Sequence, residues 1–169
     1  ASPAADGVPA LLALDATVEL AATDGARSLP LAEFITGNRA TLRDAAELVV
    51  GLTLPKPAGP DASTFLKLGA RKYLVISIVM AGAWAELAED GTVATARVAV
   101  GACSPVARRL TNLEECLVGI PPGNMAAAVS DGFVASALSP IDDVRGTADY
   151  RLDAAVTVVR RTLDDLATR

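Results

Sequence analysis

The 169 residues include no histidine, so neither a Ser-His nor a Cys-His nucleophile can be assembled and the commonest general base is missing. The two cysteines, Cys103 and Cys116, are too few to hold zinc without histidine. Chemistry would have to come from carboxylates, lysines and arginines. Glu114-Glu115, Asp142-Asp143 and Asp164-Asp165 are adjacent pairs. Neighbours on a helix do not share a face, so these pairs read as solvated charge rather than as an acid-base couple. Gly101-Ala102-Cys103-Ser104-Pro105 contains glycine but has neither a Walker lysine nor GxGxxG spacing. Lys67, Arg71 and Lys72 stand together just before residues 74–85, a run with no charge at all. Taken residue by residue, the sequence supports a small α+β protein without a self-contained active site.

The elements that would position these residues follow from pattern. The uncharged run falls short of the ~20 residues of a membrane span, and Glu86, Glu89 and Asp90 follow it, so residues 74–84 are expected to form a core strand. Residues 83–87 continue it, Glu89-Asp90-Gly91 is its turn, and residues 92–100 its partner. Earlier, a loop with Pro3 and Gly7 leads into a short helical run with Pro9 in its first turn. Residues 17–22 alternate as a strand, Thr23-Asp24-Gly25 turns the chain, and residues 27–29 return. Residues 31–34 suit one helical turn, and residues 47–55 another strand that Pro55 ends. Pro55, Pro57 and Pro60 can propagate neither a helix nor a central strand, which places a domain boundary there, with an ordinary surface loop as the alternative. Thr111 and Glu114 have capping-box spacing for a helix ending at Gly119, and Asn124 is expected to cap an alanine-rich helix through Leu138. From Leu152, the positions Ala155, Val156, Val159, Leu163 and Leu166 form one helical stripe, read as core.

Half of the residues are hydrophobic, enough for one domain or two small ones. The net charge of -5 argues against nucleic-acid binding as the main role. The cysteines read as reduced, structural thiols. No signal peptide is visible, from which a cytoplasmic location is expected, and the opening Ala1 without an initiator methionine reads as a fragment.

Several segments together resemble one family. They are Ala1-Ser-Pro-Ala-Ala-Asp6, Leu11-Leu-Ala-Leu-Asp15, Leu29-Pro-Leu-Ala-Glu-Phe34, residues 47–55, Phe65-Leu-Lys67 with Arg71, Val98-Ala-Val-Gly101, residues 114–119 and Asp143-Val-Arg145-Gly146-Thr-Ala-Asp-Tyr150-Arg151. In order and spacing they resemble the C-terminal part of the FAD-binding subunit of molybdenum hydroxylases, the family that includes xanthine dehydrogenase and carbon monoxide dehydrogenase. The resemblance implies an α+β fold. Residues 1–60 would be the end of a two-lobed FAD-binding domain, and residues 61–169 a C-terminal domain with a three-stranded antiparallel sheet and about three helices.

It implies FAD as cofactor, with the glycine-rich diphosphate loops lying before Ala1, and a molybdenum cofactor and 2Fe-2S clusters on partner subunits. Electrons would pass from an iron-sulfur subunit, fed by a molybdenum-binding subunit, through FAD to an acceptor such as NAD. Asp6 matches a cofactor-contacting aspartate, with a loop-capping role as its alternative, and Ser2 lies in the same motif. Val49 matches an aliphatic residue against the isoalloxazine ring, or is simply strand core. Lys67 matches a lysine near the ring that could stabilise charge on reduced flavin, or is a surface lysine. Arg145 and Tyr150-Arg151 read as structural. The rival reading is a non-enzymatic docking or assembly domain, or a fragment that binds no FAD unless the missing N-terminal lobe is supplied.

Overall fold

The computed structural model describes residues 1–169. α1 (Gly7–Ala13) leads into β1 (Thr17–Ala22) and β2 (Gly25–Pro30), an antiparallel hairpin in register from Thr17 opposite Pro30 to Ala22 opposite Gly25. Alternation buries Val18 and Leu20 and leaves Glu19 outside. α2 (Leu31–Phe34) is the expected single turn. A small hairpin of β3 (Ile35–Gly37) and β4 (Ala40–Thr41) follows. β5 (Leu48–Thr53) pairs with the far side of β1, giving the sheet order β2-β1-β5. Glu47 anchors β5 by accepting from Arg27 Nε at 2.6 Å and Nη2 at 2.9 Å.

After the exposed proline-rich stretch, β6 (Asp61–Leu68), β7 (Val79–Leu87), β8 (Val93–Gly101) and the two-residue β9 (Arg108–Arg109) form an antiparallel sheet in that order. β6 alternates, with Ala62, Leu66 and Leu68 packed on the core and Ser63, Phe65 and Lys67 outward. β7 is buried on both faces, which is why its sequence shows no alternation. Ala81, Ala83 and Ala85 face a core shared with α5 (Ala148–Leu166), where small side chains let the helix lie close. α3 (Thr111–Leu117) packs on β8 over the same core, and α4 (Asp131–Ala135) joins α5 beside it. α1 lies across β7 and β8 on the opposite face.

Three expectations need correction. The core strand starts at Val79, not Leu74, because residues 69–78 are a loop in which Leu74 takes a left-handed backbone, φ 49°, and is 93% exposed. The Thr111–Glu114 capping box does not form. Leu110 is the N-cap, and the Glu114 carboxylate turns inward to accept from the Val98 backbone N–H at 2.8 Å and from Arg109 Nε at 2.5 Å. The alanine-rich segment after Pro121 gives two 3-10 turns, Pro122–Asn124 and Ala126–Ala128, and the helix that follows is capped by Ser130. No helix is long and apolar enough to cross a membrane.

Candidate functional site

The geometry begins with two strand glycines. A Cβ on Gly82 would lie 3.0 Å from Ala10 N and 3.1 Å from Pro9 C, and one on Gly101 would lie 2.8 Å from Pro9 Cγ. Their bareness lets α1 press its backbone onto β7 and β8. The residue that precedes α1 is Asp6, which is thereby delivered to the outward face of β6, where Lys67 stands. Lys67 Nζ donates to Asp6 Oδ2 at 2.5 Å and to the Val75 carbonyl at 2.8 Å, and Ser77 Oγ donates to Asp6 Oδ1 at 2.7 Å. Asp6 occupies the N-cap position of α1, yet its side chain makes no capping bond. Its carboxylate is committed to Lys67 and Ser77 instead.

Partial burial pushes the Asp6 carboxyl up, but the hydrogen bonds from Lys67 and Ser77 outweigh it and hold the group below its usual range. Asp6 therefore stays ionised at neutral pH. The Lys67 side chain is a quarter exposed and that of Asp6 about half, so the pair keeps an open edge. Ser77, nearly fully buried, is the member that sequence reading missed. A lone hydroxyl inside an otherwise apolar run needs a partner, and that was the available signal.

Beside this trio runs a cleft of about 390 Å³ lined by Ser2, Asn38, Ser77, Ser104, Asp143 and Arg151 among others. Arg151, 3% exposed, is its anchor. Its Nη1 donates to the Ile78 and Ala102 carbonyls at 2.7 and 2.9 Å, and its Nη2 to Asp143 at 2.7 Å. These bonds tie α5 to the start of β7 and to the loop before α5. The buried Arg151 Nε makes no hydrogen bond to the protein. Ser2 thus enters the same cleft as Ser77, whereas Val49 does not: it sits on β5 opposite Leu20, 51% exposed, and lines no part of the cleft.

One carboxylate, one ammonium, one hydroxyl and a carbonyl suit the polar edge of a heteroaromatic ring, which presents both donors and acceptors. They do not suit a diphosphate, whose charge calls for several converging donors. A set of this kind would fit the polar edge of a flavin ring.

A family model described as the CO dehydrogenase flavoprotein C-terminal domain matches residues 64–166, and one described as the FAD binding domain in molybdopterin dehydrogenase matches residues 1–57. The nicotinate dehydrogenase FAD-subunit of Eubacterium barkeri is 33% identical over 123 residues, which cover 71% of this chain and 42% of that protein. The carbon monoxide dehydrogenase medium chain of Hydrogenophaga pseudoflava is 28% identical over 158 residues, covering 92% and 54%. The chain thus spans roughly half the length of the curated relatives it matches. Among solved structures, quinoline 2-oxidoreductase from Pseudomonas putida 86 superimposes with a TM-score of 0.82 at 30% identity, over 99% of this chain and 59% of that one. Reconstituted CO dehydrogenase from Oligotropha carboxidovorans gives a TM-score of 0.90 at 22% identity, over 99% and 58%, and speaks for the fold.

Proposed function

The chain belongs to the flavoprotein subunits of the molybdenum hydroxylases, the family of the carbon monoxide dehydrogenase medium chain, and on that premise we propose that it forms part of a flavin electron-transfer site. Electrons pass from the iron-sulfur clusters of a partner subunit, supplied by a molybdenum-binding subunit, through FAD to an acceptor such as NAD. Residues 1–60 act as the end of the FAD-binding domain and residues 61–169 as the C-terminal domain. FAD supplies two-electron chemistry when bound, and this chain supplies position and charge.

The observation that carries the reading is the Lys67–Asp6 contact at 2.5 Å, which joins a residue in the segment matched to the FAD-binding model to one in the segment matched to the C-terminal model. Asp6 would accept from a ring N–H of the flavin, and Lys67, held by Asp6 and the Val75 carbonyl, would place a cation near the ring to stabilise negative charge on the reduced cofactor. Ser2 lines the approach, and Val49 covers the ring from the other sheet only when the rest of the protein brings the two together.

The rival reading is an assembly domain that does not hold FAD by itself. It is favoured by β5, where Leu48, Val49, Val50 and Leu52 are each about half exposed or more and call for a covering surface. The test is the visible spectrum of the purified protein, alone and within the assembly that contains the remainder of the subunit. Flavin absorbance in the assembly that weakens with Lys67→Met supports the flavin site. An assembly that is colourless and gains no flavin absorbance on incubation with FAD refutes it and leaves the assembly role.

A further inference from the structure

The start of α1 leaves the Asp6 carboxylate without a helix to cap. An N-cap side chain accepts from the backbone N–H of the second or third helical residue. In α1 the third is Pro9, which has no N–H, and the second, Val8, gives its N–H to the Ala5 carbonyl at 3.0 Å. The two carboxylate oxygens turn instead to β6 and to the segment before β7, where Lys67 donates to Oδ2 and Ser77 to Oδ1. A carboxylate has about four acceptor sites. One donor reaches each oxygen and half of the side chain meets solvent, so capacity remains for a donor on a ligand.

Ser77 is the rigid half of this arrangement. Lys67 reaches Asp6 on a long flexible stem, whereas the Ser77 hydroxyl hangs from a backbone fixed immediately after it. The Ile78 N–H donates to the Leu68 carbonyl at 2.8 Å, and the Ile78 carbonyl accepts from the buried Arg151 Nη1 at 2.7 Å. Ser77 is 1% exposed. A buried hydroxyl costs free energy unless it is bonded, and this one is bonded to Asp6, 71 residues away in the chain. Alanine would lie in the same place without that demand, so packing alone does not account for the hydroxyl.

We propose that Ser77 is a positioning residue for the flavin site: it fixes the direction of the Asp6 carboxylate and offsets part of its charge, leaving more of the Lys67 charge to act on the ring. The proposal rests on the reading above and deepens it. Without the Ser77 hydrogen bond, Asp6 keeps a single donor and turns more freely, which loosens its hold on a ring N–H. Its charge is then countered by Lys67 alone. The surroundings become less favourable to negative charge on the reduced cofactor.

The test uses the flavin-containing assembly, with FAD affinity read by spectral titration and the flavin reduction potential by potentiometry. Ser77→Ala is expected to weaken FAD binding about tenfold, as the loss of a hydrogen bond to a charged group implies, and to shift the potential downward by less than Lys67→Met does. Ser77→Cys fills nearly the same space with a poor donor, should act in the same direction, and keeps the test readable if alanine disturbs assembly. In an Asp6→Ala background, Ser77→Ala should have little further effect on affinity, because the residue through which it acts is gone. Ser77 variants that alter unfolding but leave affinity and potential as in the parent overturn the proposal. So does a Ser77→Ala effect as large in the Asp6→Ala background as in the parent. If Lys67→Met is silent as well, the flavin reading falls too, whereas a Lys67→Met effect beside silent Ser77 variants refutes the positioning role alone.

Discussion

Replacing Gly82 by alanine adds one methyl group where α1 crosses β7. The backbone at Gly82 lies outside the left-handed region, so alanine itself is unstrained, and the whole effect is one of space. The new Cβ meets Ala10 N at 3.0 Å and Ala10 Cα and Pro9 C at 3.1 Å. Carbon atoms rest at about 3.5–4.0 Å, so the helix must withdraw by about half an ångström. Helix backbone cannot swing aside as a side chain can. Overpacking of this kind costs about 1–3 kcal/mol, offset by about 0.5–1 kcal/mol gained when a strand glycine becomes alanine, for a net loss centred on about 1 kcal/mol. The same withdrawal draws Asp6 from Lys67, so the Asp6 carboxyl should rise toward its ordinary range. Urea unfolding followed by the single tryptophan, Trp84, reads the first effect, and an NMR titration of the Asp6 carboxyl reads the second. Gly123→Ala, whose methyl meets nothing within 4 Å, is the control and should be neutral or stabilising. A Gly82→Ala chain as stable as the parent, with Asp6 titrating unchanged, would refute the link between helix seating and site geometry.

Lys67→Met in the flavin-containing assembly should weaken flavin binding and lower the flavin reduction potential, because a cation near the developing charge is lost; spectral titration and potentiometry check it, and unchanged values remove Lys67 from the ring. Hydrogen bonds from Arg27 and then from the Asp44 N–H hold the Glu47 carboxyl down to about 2, against an ordinary 4.5. That folded value is depressed, so the stabilisation is complete above pH 4.5 and disappears as pH falls toward about 2; unfolding measured across this window should show the loss, and Glu47→Gln should flatten it. Burial pushes the Cys103 thiol up to about 11 while Cys116 is exposed, so a thiol reagent near pH ~8 should find one cysteine in the native protein and both in denaturant.

Local pattern made much of the architecture legible. The β1–β2 hairpin, the α2 turn, β5, the β7–β8 pair and the stripe of α5 each declare themselves through alternation, turn residues or helical spacing. What failed was the point at which one uncharged run passes from loop to strand, since Leu74 and Val79 look alike in sequence and differ only in what covers them. β6 is masked in sequence because Lys67 groups with Arg71 and Lys72 of the following loop as one basic segment, which hides the alternation of Ala62, Thr64 and Leu66 with Ser63, Phe65 and Lys67. Glu114 shows the same limit: its spacing fits a cap, but the Val98 N–H of another element and the guanidinium of Arg109 take the carboxylate instead. At the candidate site, Asp6 and Lys67 were singled out separately, and no local rule could bring them together across sixty residues. That meeting depends on two glycines in other strands.

The seating of α1 bears on how this protein can be inherited. In the chain, the helix precedes the first sheet, but in space it fills a trough on the second, where Pro9 and Ala10 rest on Gly82 and Gly101. Arg109 locks the arrangement by bonding Leu12 O, Asp15 and Glu114 at once. A recombination event at the proline-rich stretch would carry the second sheet away with its trough bare and without its partner helix. Gene fusions and shuffled paralogues should therefore keep the segment from Asp6 to Asp15 matched to its own second sheet, even though the boundary most easily cut lies far downstream of it.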